Sequence, residues 1–143
     1  MNLRSQLIEF EGWERKAYSD SLTKSAPWTI GVGHTGSDVL PSSVWSDQQI
    51  SDTLDNDIED AANDCRRNFP WFDKLNEPRQ AVLIGMCFQM GINRLLGFKQ
   101  AIEAIRDERW HVAGECLRQS IWAHQTPKRA IRMSFQLETG EWQ

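Results

Sequence analysis

The feature that most constrains this chain is a long stretch with one narrow apolar stripe. From Ser46 the apolar residues Ile50, Leu54, Ile58, Ala61 and Cys65 recur at steps of four, four, three and four. That spacing puts them on one face of a helix. Ser46-Asp47-Gln48-Gln49 opens it with a capping-box pattern, and Pro70 follows soon after its end. Asp52, Asp55, Asp57, Glu59, Asp60 and Asp64 occupy the other faces. So narrow a stripe suits a helix that connects two lobes rather than one sunk in a single core.

The residues before it differ in kind from those after it. Leu3, Leu7, Ile8 and Phe10 make one face of a short helix over 3–10, and Gly12 stands near its end. Glu11 then sits at a helix terminus. Ala17-Tyr18 and Trp28-Thr29-Ile30-Gly31-Val32 read as strands, separated by the turn formers Ser19, Asp20, Ser21, Ser25 and Pro27. A two- or three-stranded antiparallel sheet follows. Gly31 and Gly33, alternating with Ile30 and Val32, imply a bulge or a close backbone approach.

After residue 77 the pattern is helical. Pro78 suits a first turn, and Ala81 to Met90 is apolar all round, as in a central buried helix. Gly91 ends it. Phe98 to Asp107 and Arg109 to Gln119 read as shorter helices, and Pro127 opens a last one that Gly140 stops. The fold class is therefore α+β, mainly α. A single domain spans residues 1–143: a small lobe over 1–45 with a short sheet, a connecting helix over 46–68, and a helical lobe over 69–143.

Charge narrows the function. The net charge of -4 argues against a general nucleic-acid binder. Most of the negative charge lies in the connecting helix, whereas Arg118, Lys128, Arg129 and Arg132 fall in a stretch without acids. Cys65, Cys87 and Cys116 form no C-x-x-C pair, and no His stands at zinc-ligand spacing from them, so they read as reduced thiols. No run is apolar enough to span a membrane, and MNLRSQLIEFEGW lacks the apolar core of a secretory signal. The expected starting compartment is a cytoplasm.

Glu11, Asp20 and Thr29 each lie at an element edge. Two carboxyls and a hydroxyl converging across a small sheet fit glycoside hydrolysis. One carboxyl delivers a proton to the leaving oxygen, and the other organises water or attacks the sugar. Spacing alone leaves Glu11 equally explicable as a solvated helix end. Trp28, next to Thr29, lines a cleft or packs inside; the pattern leaves both open. Trp122 reads as core, and His111 and His124 as surface residues. Asp55-Asn56-Asp57 does not supply a calcium loop.

The stretch FEGWERKAYSDSLTKSAPWTIGVGHT, followed in order by FQMGINRLLGF and WAHQTPKRAIR, resembles the phage-type lysozymes, glycoside hydrolase family 24. The resemblance implies a lysozyme-like fold and a muramidase. Such an enzyme hydrolyses the β-1,4 bond between N-acetylmuramic acid and N-acetylglucosamine in peptidoglycan, without metal or cofactor. It implies Glu11 as general acid, Asp20 as the carboxylate that orients and activates water, and Thr29 as the hydroxyl holding that water. An inverting reaction follows, with carboxyls ~6.5–9.5 Å apart. Gln89 and Thr126 match polar positions lining the cleft, and Arg129 matches an arginine that pairs with the catalytic glutamate. His34 and Asp57 match a structural ion pair.

The segment LTKSAP between Asp20 and Thr29 is longer than the family pattern, and the acidic balance is unlike a basic wall hydrolase. The implied setting is a monomeric phage endolysin. It waits in the host cytoplasm for a holin-type pore and binds no nucleic acid. Two rivals are a virion- or tail-associated lysozyme and a non-catalytic module that binds glycan or protein.

Overall fold

The computed structural model describes residues 1–19 and 26–143. The described residues form two compact units, one of residues 4–60 and one of residues 1–3 with 61–143.

In the smaller unit, α1 (Leu3–Glu11, its first residue assigned to the other unit) is followed by β1 (Glu14–Tyr18), β2 (Thr29–Gly31) and β3 (His34–Thr35). The strands form an antiparallel sheet in the order β1-β2-β3. Thr29 pairs with Thr35 and Ile30 with His34. Of the two or three strands expected, three are present, and a further edge lies beside β1. Ala17 N–H donates to the Ser43 carbonyl at 3.0 Å, and Trp45 N–H to that of Arg15 at 2.8 Å. Residues 43–45 lack an apolar alternation long enough to announce this.

α2 spans Asp47–Asn68. Its start is the expected capping box: Gln49 N–H donates to Ser46 Oγ, and Ser46 N–H to Gln49 Oε1 at 2.9 Å. The two bonds satisfy donors that a helix start would otherwise leave open. Along the stripe Ile50, Leu54, Ala61 and Cys65 are buried, while Ile58 is only half-buried. The first part of the stripe serves the small unit and the second the helical unit, so Ile58 lies just before the division.

Leu7, Ile30, Val32, Val39, Ile50 and Leu54 make the small unit's core. A Cβ on Gly31 would come within 3.3 Å of Ile50, so the absent side chain lets β2 lie against α2. On α1 the fully buried residues are Gln6 and Leu7; Leu3, Ile8 and Phe10, expected on its apolar face, are half-buried. Arg4 Nε meets Asp55 at 3.1 Å. Arg15 grips Asp47 with two bonds while Trp13 Nε1 donates to the same carboxylate at 2.9 Å. These bonds hold the Asp47 carboxyl down at about 2.

The helical unit is built on α3 (Glu77–Met90), whose residues Ala81 to Cys87 are all buried. Asn76 caps it by accepting from Arg79 N–H, with Pro78 in the first turn. α4 (Ile92–Leu96), α5 (Lys99–Arg106), α6 (Trp110–Arg118), α7 (Ile121–Gln125) and α8 (Pro127–Thr139) follow. α4 and α7 are five-residue helices that the sequence reading passed over. Gly140, in the left-handed region at φ 70°, ends α8 as expected. Arg79 lies 3.8 Å over the Trp110 ring and donates to the carbonyls of Leu137 and Glu138, which satisfies the last turn of α8. Arg118 ties α6 to α8 through Ser134 and Glu138.

Cys65 and Cys87 are buried and Cys116 partly so, all three as free thiols. The hydrogen bond between Cys65 and Cys87, with burial, pushes the Cys65 thiol up. His111 is a surface residue as expected, but it is not without partners: Glu115 stands at 3.0 Å and Glu138 at 3.4 Å. Among the described residues, no helix is long and apolar enough to cross a membrane.

Candidate active site

Glu11 is the last residue of α1, and the chain turns away at once through Gly12, at φ +84°. The helix end therefore presents the carboxyl instead of carrying it along an open face. That carboxyl lies against Gly33, in the turn between β2 and β3. A Cβ on Gly33 would fall onto Glu11 Oε2 and within 3.0 Å of its Cδ. Gly33 also has φ +64°, a conformation that L side chains rarely adopt. Both the backbone and the close approach of Glu11 thus require glycine here. Gly31 and Gly33 carried this signal in the sequence.

Thr29 opens β2 and is buried, only 7% exposed. Glu11 and Thr29 are thus brought to one β2–β3 hairpin, the first against its turn and the second on its strand. Asp20 lies outside the described residues, as does most of the longer segment after it.

His34 opens β3 and faces two carboxylates. Its Nδ1 stands 2.7 Å from Asp57 Oδ2 on α2, and its Nε2 lies 3.1 and 3.2 Å from the Asp38 oxygens. Trp45 covers the ring, with centroids 5.4 Å apart. The structure thus brings His34 and Asp57 together and adds Asp38, which the sequence reading missed. An Asp four residues beyond a His is a signal that could have been read. The Asp57 hydrogen bond raises the His34 pKa first of all. Burial opposes it, and the charges of Asp57 and Asp38 add to it. An imidazolium donates from both nitrogens, which is what two carboxylates reward.

The remaining residues belong to the helical unit, and two of them, Gln89 and Thr126, bond to Trp122 of α7. Trp122 is buried as expected and donates from Nε1 to Gln89 Oε1 at 2.9 Å. Thr126 Oγ1 donates to the Trp122 carbonyl at 3.2 Å and stands at the start of α8. Arg129, in the first turns of α8, is buried and reaches the Gly85 carbonyl at 3.4 Å. Gln89 and Thr126 therefore both hold the α7 segment. No cluster of three His, Cys, Asp or Glu side chains among the described residues is arranged to hold a metal ion.

The phage lysozyme family model matches residues 8–131, a span that includes Glu11, the hairpin and most of the helical unit. The chain belongs to the phage lysozyme family. Among relatives of this phage lysozyme, the probable T4-type lysozyme 1 of Dictyostelium discoideum is 38% identical, over 48% of this chain and 41% of its own length. The pre-baseplate central spike protein Gp5 of Enterobacteria phage T4 is 27% identical, across 98% of this chain and 28% of its own. The peptidoglycan hydrolase gp36 of Pseudomonas phage phiKMV is 28% identical, across 90% of this chain and 14% of its own. The chain thus spans less than half the length of each of these relatives.

Proposed function

We propose that this phage lysozyme is a muramidase that cleaves the β-1,4 bond between N-acetylmuramic acid and N-acetylglucosamine in peptidoglycan. Family membership supports the reaction class, and one observation carries the assignment of the acid. The Glu11 carboxyl is held at a helix end against a glycine that no other residue could replace without displacing it.

The chemistry runs as an inverting displacement. Protonated Glu11 donates to the glycosidic oxygen as the bond to the anomeric carbon breaks. A water held by the Thr29 hydroxyl and the Asp20 carboxylate attacks that carbon from the opposite face, and Asp20 takes its proton. The products are a new N-acetylmuramic reducing end and a free 4-hydroxyl on N-acetylglucosamine. The family pattern implies that Arg129 pairs with Glu11. An arginine favours the ionised carboxylate, so bound glycan must weaken that pairing for the acid to hold its proton. By the family pattern, Gln89 and Thr126 are polar residues that line the substrate cleft.

In its biological setting the chain acts as a monomeric endolysin, kept in the host cytoplasm and released to the wall through a holin-type pore. One observation favours a second setting: the spike protein of phage T4 matches nearly the whole chain, which fits a virion-associated lysozyme. Wall cleavage by the wild type and by Glu11→Gln tests the proposal. The substitution removes the transferable proton and keeps the shape, so cleavage is lost and the circular dichroism spectrum is unchanged. Retained cleavage in a folded Glu11→Gln protein refutes the assignment.

A further inference from the structure

The segment that carries Glu11 is tied to α2 on both sides. Before Glu11, Arg4 on α1 reaches α2 at Asp55, 3.1 Å away, and at the Ser51 hydroxyl. After it, two side chains converge on one α2 carboxylate. Trp13 donates from Nε1 to Asp47 Oδ1 at 2.9 Å. Arg15 donates from Nε to the same oxygen at 2.8 Å and from Nη2 to Oδ2 at 2.9 Å. All of these residues belong to the small unit.

Trp13 and Arg15 flank Glu14, which pairs with Gly31 on β2. Gly31 stands two residues before Gly33, against which the Glu11 carboxyl lies. The clasp on Asp47 therefore fixes the chain where it leaves Glu11 and enters the sheet that Glu11 faces. Between Glu11 and the clasp stands only Gly12. A Cβ there would meet nothing within 4 Å, and glycine has the freest backbone of any residue. The direction of the chain at this joint is set by what holds it on either side.

Stability alone does not account for the clasp. The Arg15 and Asp47 side chains are 65% and 57% exposed, and an ion pair so open to water adds little. What a two-pronged guanidinium–carboxylate pair supplies is direction. The bonds from Arg15 and Trp13 hold the Asp47 carboxyl at about 2. The clasp thus stays ionised wherever a glutamic acid, near about 4.3 in its ordinary state, carries its proton.

We propose that Asp47 is a positioning residue for the general acid: by holding Trp13 and Arg15 it sets where the Glu11 carboxyl stands against the β2–β3 hairpin. The inference rests on the muramidase reading. A general acid works only within hydrogen-bond reach of the leaving oxygen, so a small displacement lowers turnover more than binding.

The test compares wild type, Asp47→Ala and Ser46→Ala in the full chain. Ser46 and Asp47 are neighbours at the start of α2, so both variants weaken the same helix end, but it is Asp47 that bonds to Trp13 and Arg15. On soluble glycan fragments of peptidoglycan, Asp47→Ala lowers kcat about tenfold and changes KM less than about twofold, whereas Ser46→Ala keeps kcat. Arg15→Ala lowers kcat in the same direction. Added to Asp47→Ala it lowers kcat little further, as for two members of one clasp. The Trp13 indole N–H signal in NMR, assigned by its loss in Trp13→Phe, moves in Asp47→Ala and stays in Ser46→Ala. The inference is overturned if a folded Asp47→Ala keeps the wild-type kcat, if its loss falls on KM, or if Ser46→Ala loses as much. It is likewise overturned if the two losses multiply in the double variant, or if the Trp13 signal ignores Asp47→Ala. Cleavage lost in Glu11→Gln but untouched by Asp47→Ala sinks the positioning role alone. A wild type that releases no muropeptides sinks the muramidase reading and this inference with it.

Discussion

Asp57→Asn tests the clamp on His34. The substitution keeps the shape of the side chain and an acceptor near Nδ1, but removes the charge that the imidazolium faces at 2.7 Å. The His34 and Asp57 side chains are 18% and 25% exposed, so water screens the pair only partly. A hydrogen bond to a charged group at such a site contributes about 1.5–3 kcal/mol. The direction with pH follows from the raised His34 pKa. The unfolded histidine titrates near about 6.5. The stabilisation is fully present below that value and is lost as pH rises through the higher folded value. Thermal unfolding followed by circular dichroism from pH 5.5 to 9.5 reads the effect. At pH 5.5 the variant melts about 5–10 °C below the wild type, and the gap narrows steadily at higher pH. Asp38→Asn follows the same trend with a smaller amplitude, since Asp38 is 62% exposed. A gap that stays constant with pH, or widens as pH rises, refutes the reasoning. Turnover at saturating substrate changes little in either variant.

Gly33→Ala drives a methyl group into the Glu11 carboxyl as well as straining the backbone, so wall cleavage falls at least about tenfold. Gly12→Ala, at φ +84° but with open space around it, costs only backbone strain of about 1–2 kcal/mol in a melting experiment. Equal losses of cleavage in the two variants would contradict the placement of Glu11. Ser46→Ala removes one half of the capping box and lowers stability by about 0.5–2 kcal/mol in urea unfolding, while cleavage is kept. An aromatic disulfide reagent modifies one thiol, Cys116, quickly in the native protein; Cys65 and Cys87 react only on unfolding, being buried, with Cys65 also held protonated.

The elements that could be read from the sequence are those whose signal is local and repeated. The Ile50–Cys65 stripe and Ser46–Gln49 cap defined α2, and the all-apolar run from Ala81 defined α3. Pro127 and Gly140 bracketed α8. α4 and α7 escaped because a five-residue helix holds hardly more than one turn, too few residues for a period to show. The edge at residues 43–45 escaped because backbone bonds, not side-chain pattern, join it to β1. On α1, helical spacing named Leu3, Ile8 and Phe10, yet the neighbouring fold buries Gln6 instead.

The site was legible in another way. Glu11 and Thr29 stood out at element edges, but nothing local separates a catalytic carboxyl from a solvated helix end. His34 and Asp57 lie 23 residues apart, and only the resemblance joined them before the structure did. The paired glycines were the exception. Gly31 and Gly33 signalled a close approach, and what approaches Gly33 is the Glu11 carboxyl. Asp20 lies outside the described residues, so its part in the site rests on the family pattern alone.

The most direct measurement is the chemistry of the chain ends released from purified peptidoglycan by the wild type and Glu11→Gln side by side. The expected result is N-acetylmuramic reducing ends from the wild type, first formed with inverted anomeric configuration, and none from the variant. Anhydro-muramic ends would instead mean a lytic transglycosylase, in which no water attacks the sugar. N-acetylglucosamine reducing ends would place the cut at the other bond. Tight wall binding without new ends would remove the chain from the enzymes and leave Glu11 a helix terminus packed against a glycine.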